Sequence, residues 1–144
     1  MNKKVAILGK LQTKQYAPFW DYEWDIWTLN YNSELPRITL WFDIHSKPNP
    51  RADLTRANFP FKECEELVGG QYYNNSISYM IAYAILQGYE EIALYGMRFI
   101  TDSQPRVEQY NNVRELIFFA KGRGIKVTAP YDEVMVAEYP LYGV

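Results

Sequence analysis

Residues 4–9, KVAILG, form a short unbroken apolar run closed by glycine, the pattern of a strand buried on both faces. Residues 25–30 (DIWTLN) and 38–45 (ITLWFDIH) are two further β-rich runs bounded by turn-forming residues. Residues 46–62 hold three prolines and scattered charges, so they read as loop with at most one helical turn after Pro50. At Ser76 the period changes. Ile77, Met80, Ile81, Ala84 and Ile85 recur at i, i+3, i+4, i+7 and i+8, one face of a helix. Asn74, Asn75 or Ser76 supplies an N-cap oxygen, and Gly88 suits the C-terminal stop. Residues 91–97 follow as a fourth strand. A polar loop with Pro105 then leads to a second helix, striped by Val113, Leu116, Ile117 and Ala120. KGRG stops that helix, IKVTAP (125–130) is a fifth strand, and the tail from Tyr131 adds a short helix and an edge segment.

Helix, glycine turn, strand, loop, helix, glycine turn, strand is the grammar of βαβ crossovers, which build a parallel sheet. The pattern predicts an α/β fold: one Rossmann-like domain over residues 1–144, a three-layer sandwich around a mostly parallel sheet. A chain of 144 residues suits one such domain, and no internal repeat or linker divides it.

Composition narrows the partners. With 15 basic and 17 acidic residues the chain lacks the positive charge that general nucleic-acid binding needs. No apolar stretch approaches a membrane span, and the opening MNKKVAILGK is too short in its apolar part for a secretory signal. A single cysteine, Cys64, allows no internal disulfide, and a reducing cytoplasm is the expected compartment. Aromatic residues make up 17% of the chain, enough to fill a core and also to line a pocket or an interface.

In open parallel sheets, ligands bind outside the carboxyl ends of the strands, near the point where strand order reverses. The residues just past each apolar run are therefore the candidates. They are Gly9, Lys10, Gln12 and Thr13 after the first strand, Asn30 and Tyr31 after the second, and His45 after the third. Gly96 and Arg98 follow the fourth. Asn75 and Ser76 open the first helix, whose amides and dipole suit an anion, and Gln109 lies on the second. Four polar or glycine strand ends on one edge predict a small-molecule crevice.

Other chemistries are disfavoured. GKLQTK is neither a dinucleotide fingerprint nor a Walker loop, so ordinary NAD or ATP use is not expected and no cofactor is assigned. One histidine and one cysteine cannot make the His/Cys set of a zinc site. Cys64 sits among glutamates in KECEELV, which disfavours a thiolate. Asp43, Glu108 and Glu115 are carboxylates near the crevice, but no spacing pairs them for acid/base work.

Four segments carry a family resemblance. APFWDYEWDIWTLN, LWFDIH, NSISYMIAYAILQGYEEIALYGM and AKGRGIKVTAP resemble, in order and spacing, conserved stretches of small Rossmann-like proteins encoded by bacteriophages. The resemblance reaches to about Tyr131. It implies a phage protein working in the host cytoplasm, with a nucleotide- or nucleoside-type crevice and His45, Asn30 and Ser76 on the recurrent polar positions. Two departures stand out. This chain has GKLQTKQY where the family has a small glycine- or serine-bearing turn, and Arg98 where the family has an acid. A guanidinium there, with Lys10, favours an anionic ligand such as a phosphate.

Three functions follow as expectations. The first is a non-catalytic binder of a nucleotide-derived molecule, in its sharpest form a sponge for a host immune signal such as a cyclic nucleotide or an ADP-ribose derivative. Trp20, Trp27, Tyr31, Tyr72 and Tyr73 would stack a base, and Arg98, Lys10 and His45 would meet phosphate or ribose. The second is an enzyme acting on a nucleoside, nucleotide or nucleotide-sugar, with Asp43 or Glu108 as base and His45 as acid. The third is an interaction protein with a vestigial crevice and a tyrosine-lined homo-oligomeric interface.

Overall fold

The computed structural model describes residues 2–32, 34–97, 104–131 and 133–143. Six parallel strands form one sheet: β1 (Lys4–Leu8), β2 (Trp24–Leu29), β3 (Leu40–Asp43), β4 (Leu54–Thr55), β5 (Glu91–Tyr95) and β6 (Lys126–Thr128). Their spatial order is β4-β3-β2-β1-β5-β6, so the order reverses between β1 and β5. Three helices, α1 (Phe61–Val68), α2 (Ser76–Gln87) and α3 (Gln104–Gly122), connect β4 to β5 and β5 to β6. This is the expected Rossmann-like α/β fold. Among the described residues no helix is long and apolar enough to cross a membrane.

The two faces are covered differently. On one, Val5, Ile7, Trp27, Leu29, Phe42 and Leu94 pack against the helices through Ile77, Ile81, Val113 and Leu116. On the other, Ala6, Leu8 and Ile26 meet only Ala17 and Phe19, flanked by Trp24, Leu35 and Tyr95. The third layer is therefore a 3-10 helix (Gln12–Tyr16) and extended chain rather than α-helices. The β1–β2 connection, 9–23, supplies only that 3-10 helix, and the β2–β3 connection, 30–39, is too short for the helix that usually joins parallel neighbours. Arg37 holds this layer instead, donating to the carbonyls of Phe19 (2.7 Å), Asp21 (3.1 Å) and Trp24 (2.7 Å).

The strands are shorter than the apolar runs, each for a local reason. Residue 30 leaves the second strand because Asn30 adopts φ 55°. Thr39 stays out of the ladder because its hydroxyl takes the place of a backbone carbonyl in accepting the Ile26 amide (2.8 Å), while its own amide donates to the Ile26 carbonyl (2.8 Å). The third strand stops at Asp43, whose carboxylate takes the amide of His45 (3.2 Å) in an Asx turn. Two elements depart from the expected loop at 46–62 and just beyond it. β4 has only two residues, fixed by Asp53, whose amide and carboxylate both bond the Trp41 backbone (2.8 Å each). α1 buries chiefly Cys64 and ends at Gly69 in the left-handed region. The cap of α2 resolves to Asn75, which accepts from the amide of Ser78 (3.0 Å), and Gly88 (φ 85°) ends the helix as expected. The tail contributes a 3-10 turn, Glu133–Val136.

At the reversal point the backbones of Gly9 and Gly96 touch. A Cβ on Gly9 would run into the Gly96 carbonyl, and one on Gly96 would lie 2.8 Å from the Gly9 oxygen with φ at +69°. Gly9→Ala should therefore lower stability by about 1–3 kcal/mol, whereas Gly70→Ala, which meets no atom within 4 Å, should leave it nearly unchanged. Urea or thermal melts of the two variants decide this.

Candidate functional site

The reversal point, where ligands usually sit, is closed by the chain's own hydrogen bonds. The Gly9 amide donates to the Tyr95 carbonyl (2.8 Å), the Leu11 amide to the Gly96 carbonyl (3.0 Å) and the Gly96 amide to the Thr13 hydroxyl (2.9 Å). Asn32 bonds the Gly9 oxygen (2.8 Å) and accepts from Lys14 Nζ (2.6 Å). The hollow beside Thr13, Gly96 and Tyr131 has no space for a water molecule. So Gly9, Thr13 and Gly96 share one location, but their polar groups already serve one another there.

Polar capacity collects instead at the ends of β2 and β3, on the thinly covered face. In parallel register Leu29 faces Phe42, which sets Asn30 beside Asp43. Asp43 is buried (2% exposed), and each carboxylate oxygen has a donor. Oδ1 takes the His45 amide and His45 Nδ1 (2.9 Å), and Oδ2 takes the Asn49 amide (2.9 Å). Burial alone would push this carboxyl up. The Asn49 amide and the ring and amide of His45 more than offset that and hold it below the usual carboxylate range. An ionised Asp43 requires a proton on His45 Nδ1, which leaves Nε2 as the outward nitrogen of a side chain that is 62% exposed.

Asn49 ties the cluster together, a role the sequence reading did not assign. Its amide bonds Asp43, its Nδ2 donates to the Asn30 carbonyl (3.1 Å), and its Oδ1 accepts the Arg51 amide (3.0 Å). Trp41 Nε1 donates to that same Asn30 carbonyl (2.7 Å). Its signal in the sequence was only a buried-prone asparagine between two prolines, which reads as an ordinary turn. Among the described residues, Thr28 Oγ1 and Asn30 Oδ1 are buried acceptors with no donor. Thr28 lies on β2 and Asn30 just past its end. Lys47 and Arg51 follow His45 in the chain, and neither they nor Lys10 form an ion pair among the described residues.

The remaining candidates fall elsewhere. His45 and Gly96 are three strand spacings apart, roughly 14 Å, so the strand ends make two locations rather than one crevice. Lys10 and Gln12 are exposed at the 3-10 helix, and Tyr31 is 65% exposed beside Asn30. Asn75 and Ser76 belong to the helical layer. There Asn112 of α3 accepts from the Asn74 amide (3.2 Å) and Asn75 Nδ2 (3.4 Å), with Gln109 half-buried on the same helix. Arg98 lies outside the described residues. Of the rings considered for stacking, Trp20 and Tyr31 face solvent, while Tyr73 spends its hydroxyl on the Cys64 carbonyl (2.6 Å). Cys64 is buried, and burial first, then Glu63 and Glu65, pushes its thiol up to about 12.

Because Asp43 is held below its ordinary value in the folded chain, it stabilises the fold at neutral pH, and that contribution is lost as pH falls through the carboxylate range. Asp43→Asn should therefore show a shallower loss of stability than the parent between about pH 5 and pH 3 in urea melts. Asn49→Ala should cost about 0.5–1.5 kcal/mol in the same melts, because it removes the side-chain donor to the Asn30 carbonyl and the acceptor of the Arg51 amide while the backbone bond to Asp43 stays.

Comparison with known protein families, with curated proteins and with solved structures finds no match to this chain, so its function rests on the site.

Proposed function

We propose that this protein binds a small, phosphate-bearing, nucleotide-derived molecule at the carboxyl ends of β2 and β3. The observation that carries the proposal is the Asp43–His45–Asn49–Asn30 network. It fixes an imidazole with one nitrogen outward, next to unpaired cations and buried acceptors. His45 Nε2, Lys47 and Arg51 suit phosphate oxygens, and Asn30 Oδ1 suits a hydroxyl or amino donor on ribose or base. Tyr31 offers an exposed ring for stacking. In the phage setting that the family resemblance implies, such a binder is a sponge that withholds a host immune signal in the host cytoplasm.

A second reading has its own support. A carboxylate on Nδ1 and a free Nε2 is the arrangement of a general base, so the same pair suits hydrolysis of a bound nucleotide. The two readings differ in what leaves the protein.

The test is to incubate the chain with cyclic nucleotides and ADP-ribose derivatives, remove free ligand, and release the bound fraction by heat. Intact ligand supports the binder, altered product supports the enzyme, and no retention of any of them overturns both. His45→Ala should weaken binding about tenfold or more; it also removes one donor from Asp43 and lowers the melting temperature, so binding is measured well below the melt of the variant.

A further inference from the structure

A second hollow lies at the opposite, amino-terminal edge of the sheet, on the helix-covered face. It encloses about 310 Å³ between the start of β2, the start of β3 and the last turns of α2. Asp25 and Trp27 are two apart on β2 and so share a face, with Leu40 beside Trp27 in register. Tyr83 and Gln87 are four apart on α2 and present one helical side, and Tyr89 follows the helix.

The rings form a corner. Tyr89 stands edge-on to Trp27, with centroids 5.2 Å apart and planes at 88°. Tyr83 meets Trp27 at 5.5 Å and 46°. Trp27 is the floor, almost fully buried, and the half-buried Tyr83 is the open wall.

Among the described residues the charge in this corner has no cationic partner. Asp25 takes the Tyr89 hydroxyl (2.5 Å), the Asn2 amide (3.2 Å) and Asn2 Nδ2 (3.0 Å), all neutral donors. The nearby lysines pair elsewhere: Lys3 with Glu90 (3.8 Å), Lys4 with Glu23 (3.9 Å) and Lys126 with Glu91 (3.4 Å). Asp25 has no ion pair among the described residues. A carboxylate steadied by neutral donors beside electron-rich ring faces attracts positive charge twice, by Coulomb attraction and through the ring quadrupoles.

We propose that this hollow is a binding site for a small organic cation of the quaternary-ammonium type, with Asp25 as counter-charge and Tyr83, Tyr89 and Trp27 as the ring surface. A strongly hydrated inorganic ion would gain little from the rings, whereas an alkylated ammonium sheds its water easily and fits the volume. The site lies about five residues along β2 from Asn30, roughly 17 Å, and on the other face of the sheet, so it is independent of the nucleotide proposal.

The probes are choline, tetramethylammonium and choline's neutral tert-butyl isostere, titrated against the full chain by calorimetry and tryptophan fluorescence. Choline and tetramethylammonium should bind at least about tenfold more tightly than the neutral isostere. Asp25→Asn, which keeps the acceptor for Tyr89, should remove that preference, and Tyr83→Leu should weaken both cations. His45→Ala should change nothing here, so a failed nucleotide site leaves this test intact. Equal binding of choline and its isostere by the unmodified chain, or no binding of either cation at millimolar concentration, overturns the proposal whatever the variants do.

Discussion

The contact between the backbones of Gly9 and Gly96 organises everything at the carboxyl edge of the sheet. Two adjacent parallel strands must part there, and in this chain they close on each other instead. That closure commits the amides of Gly9, Leu11 and Gly96, anchors the 3-10 helix through Thr13, and draws Asn32 across from the end of β2. The place where an open α/β sheet ordinarily receives its ligand is thereby filled by main chain. Polar groups that are not all matched collect one step outward, at β2 and β3, where the covering layer is thin. Position and chemistry thus have one cause: a tight packing contact excludes ligand from the centre and leaves the flank available.

Most of the scaffold was legible because it obeys simple periods. The β1 and β5 runs are nearly continuous apolar stretches because both faces are buried, and α2 shows its stripe between an asparagine cap and a glycine stop. The parts that escaped are governed by side chains acting on distant backbone. β4 is two residues long and exists through Asp53 reaching Trp41, which no period records. α1 is only eight residues long, so the stripe of Phe61, Cys64, Leu67 and Val68 was too short to stand out from the proline-rich stretch before it.

The site was legible in part. His45 and Asn30 stand at neighbouring strand ends because β2 and β3 pair, as consecutive strands usually do. Strand order, which a single sequence does not fix, decides that Gly96 is far from them. Asp43 stood out as a carboxylate, yet its bond to His45 needed the turn that Asn49 completes. The aromatic corner at Asp25 was invisible for a related reason: Trp27, Tyr83 and Tyr89 come from three separate places, and each alone reads as core.

The unequal covering of the two faces has a consequence in time. The helical layer carries its own repeating hydrogen bonds and a large shared core, so it opens only with the whole domain. The other layer has a small apolar cluster, a single turn of 3-10 helix and one arginine bridging three carbonyls. Such a layer opens locally, at a fraction of the free energy of global unfolding. Asn30 and Asp43 lie on that side, so their surroundings are the more easily loosened while the helices and the corner at Asp25 stay still. One half of the molecule keeps its shape, and the other half keeps its freedom to adapt.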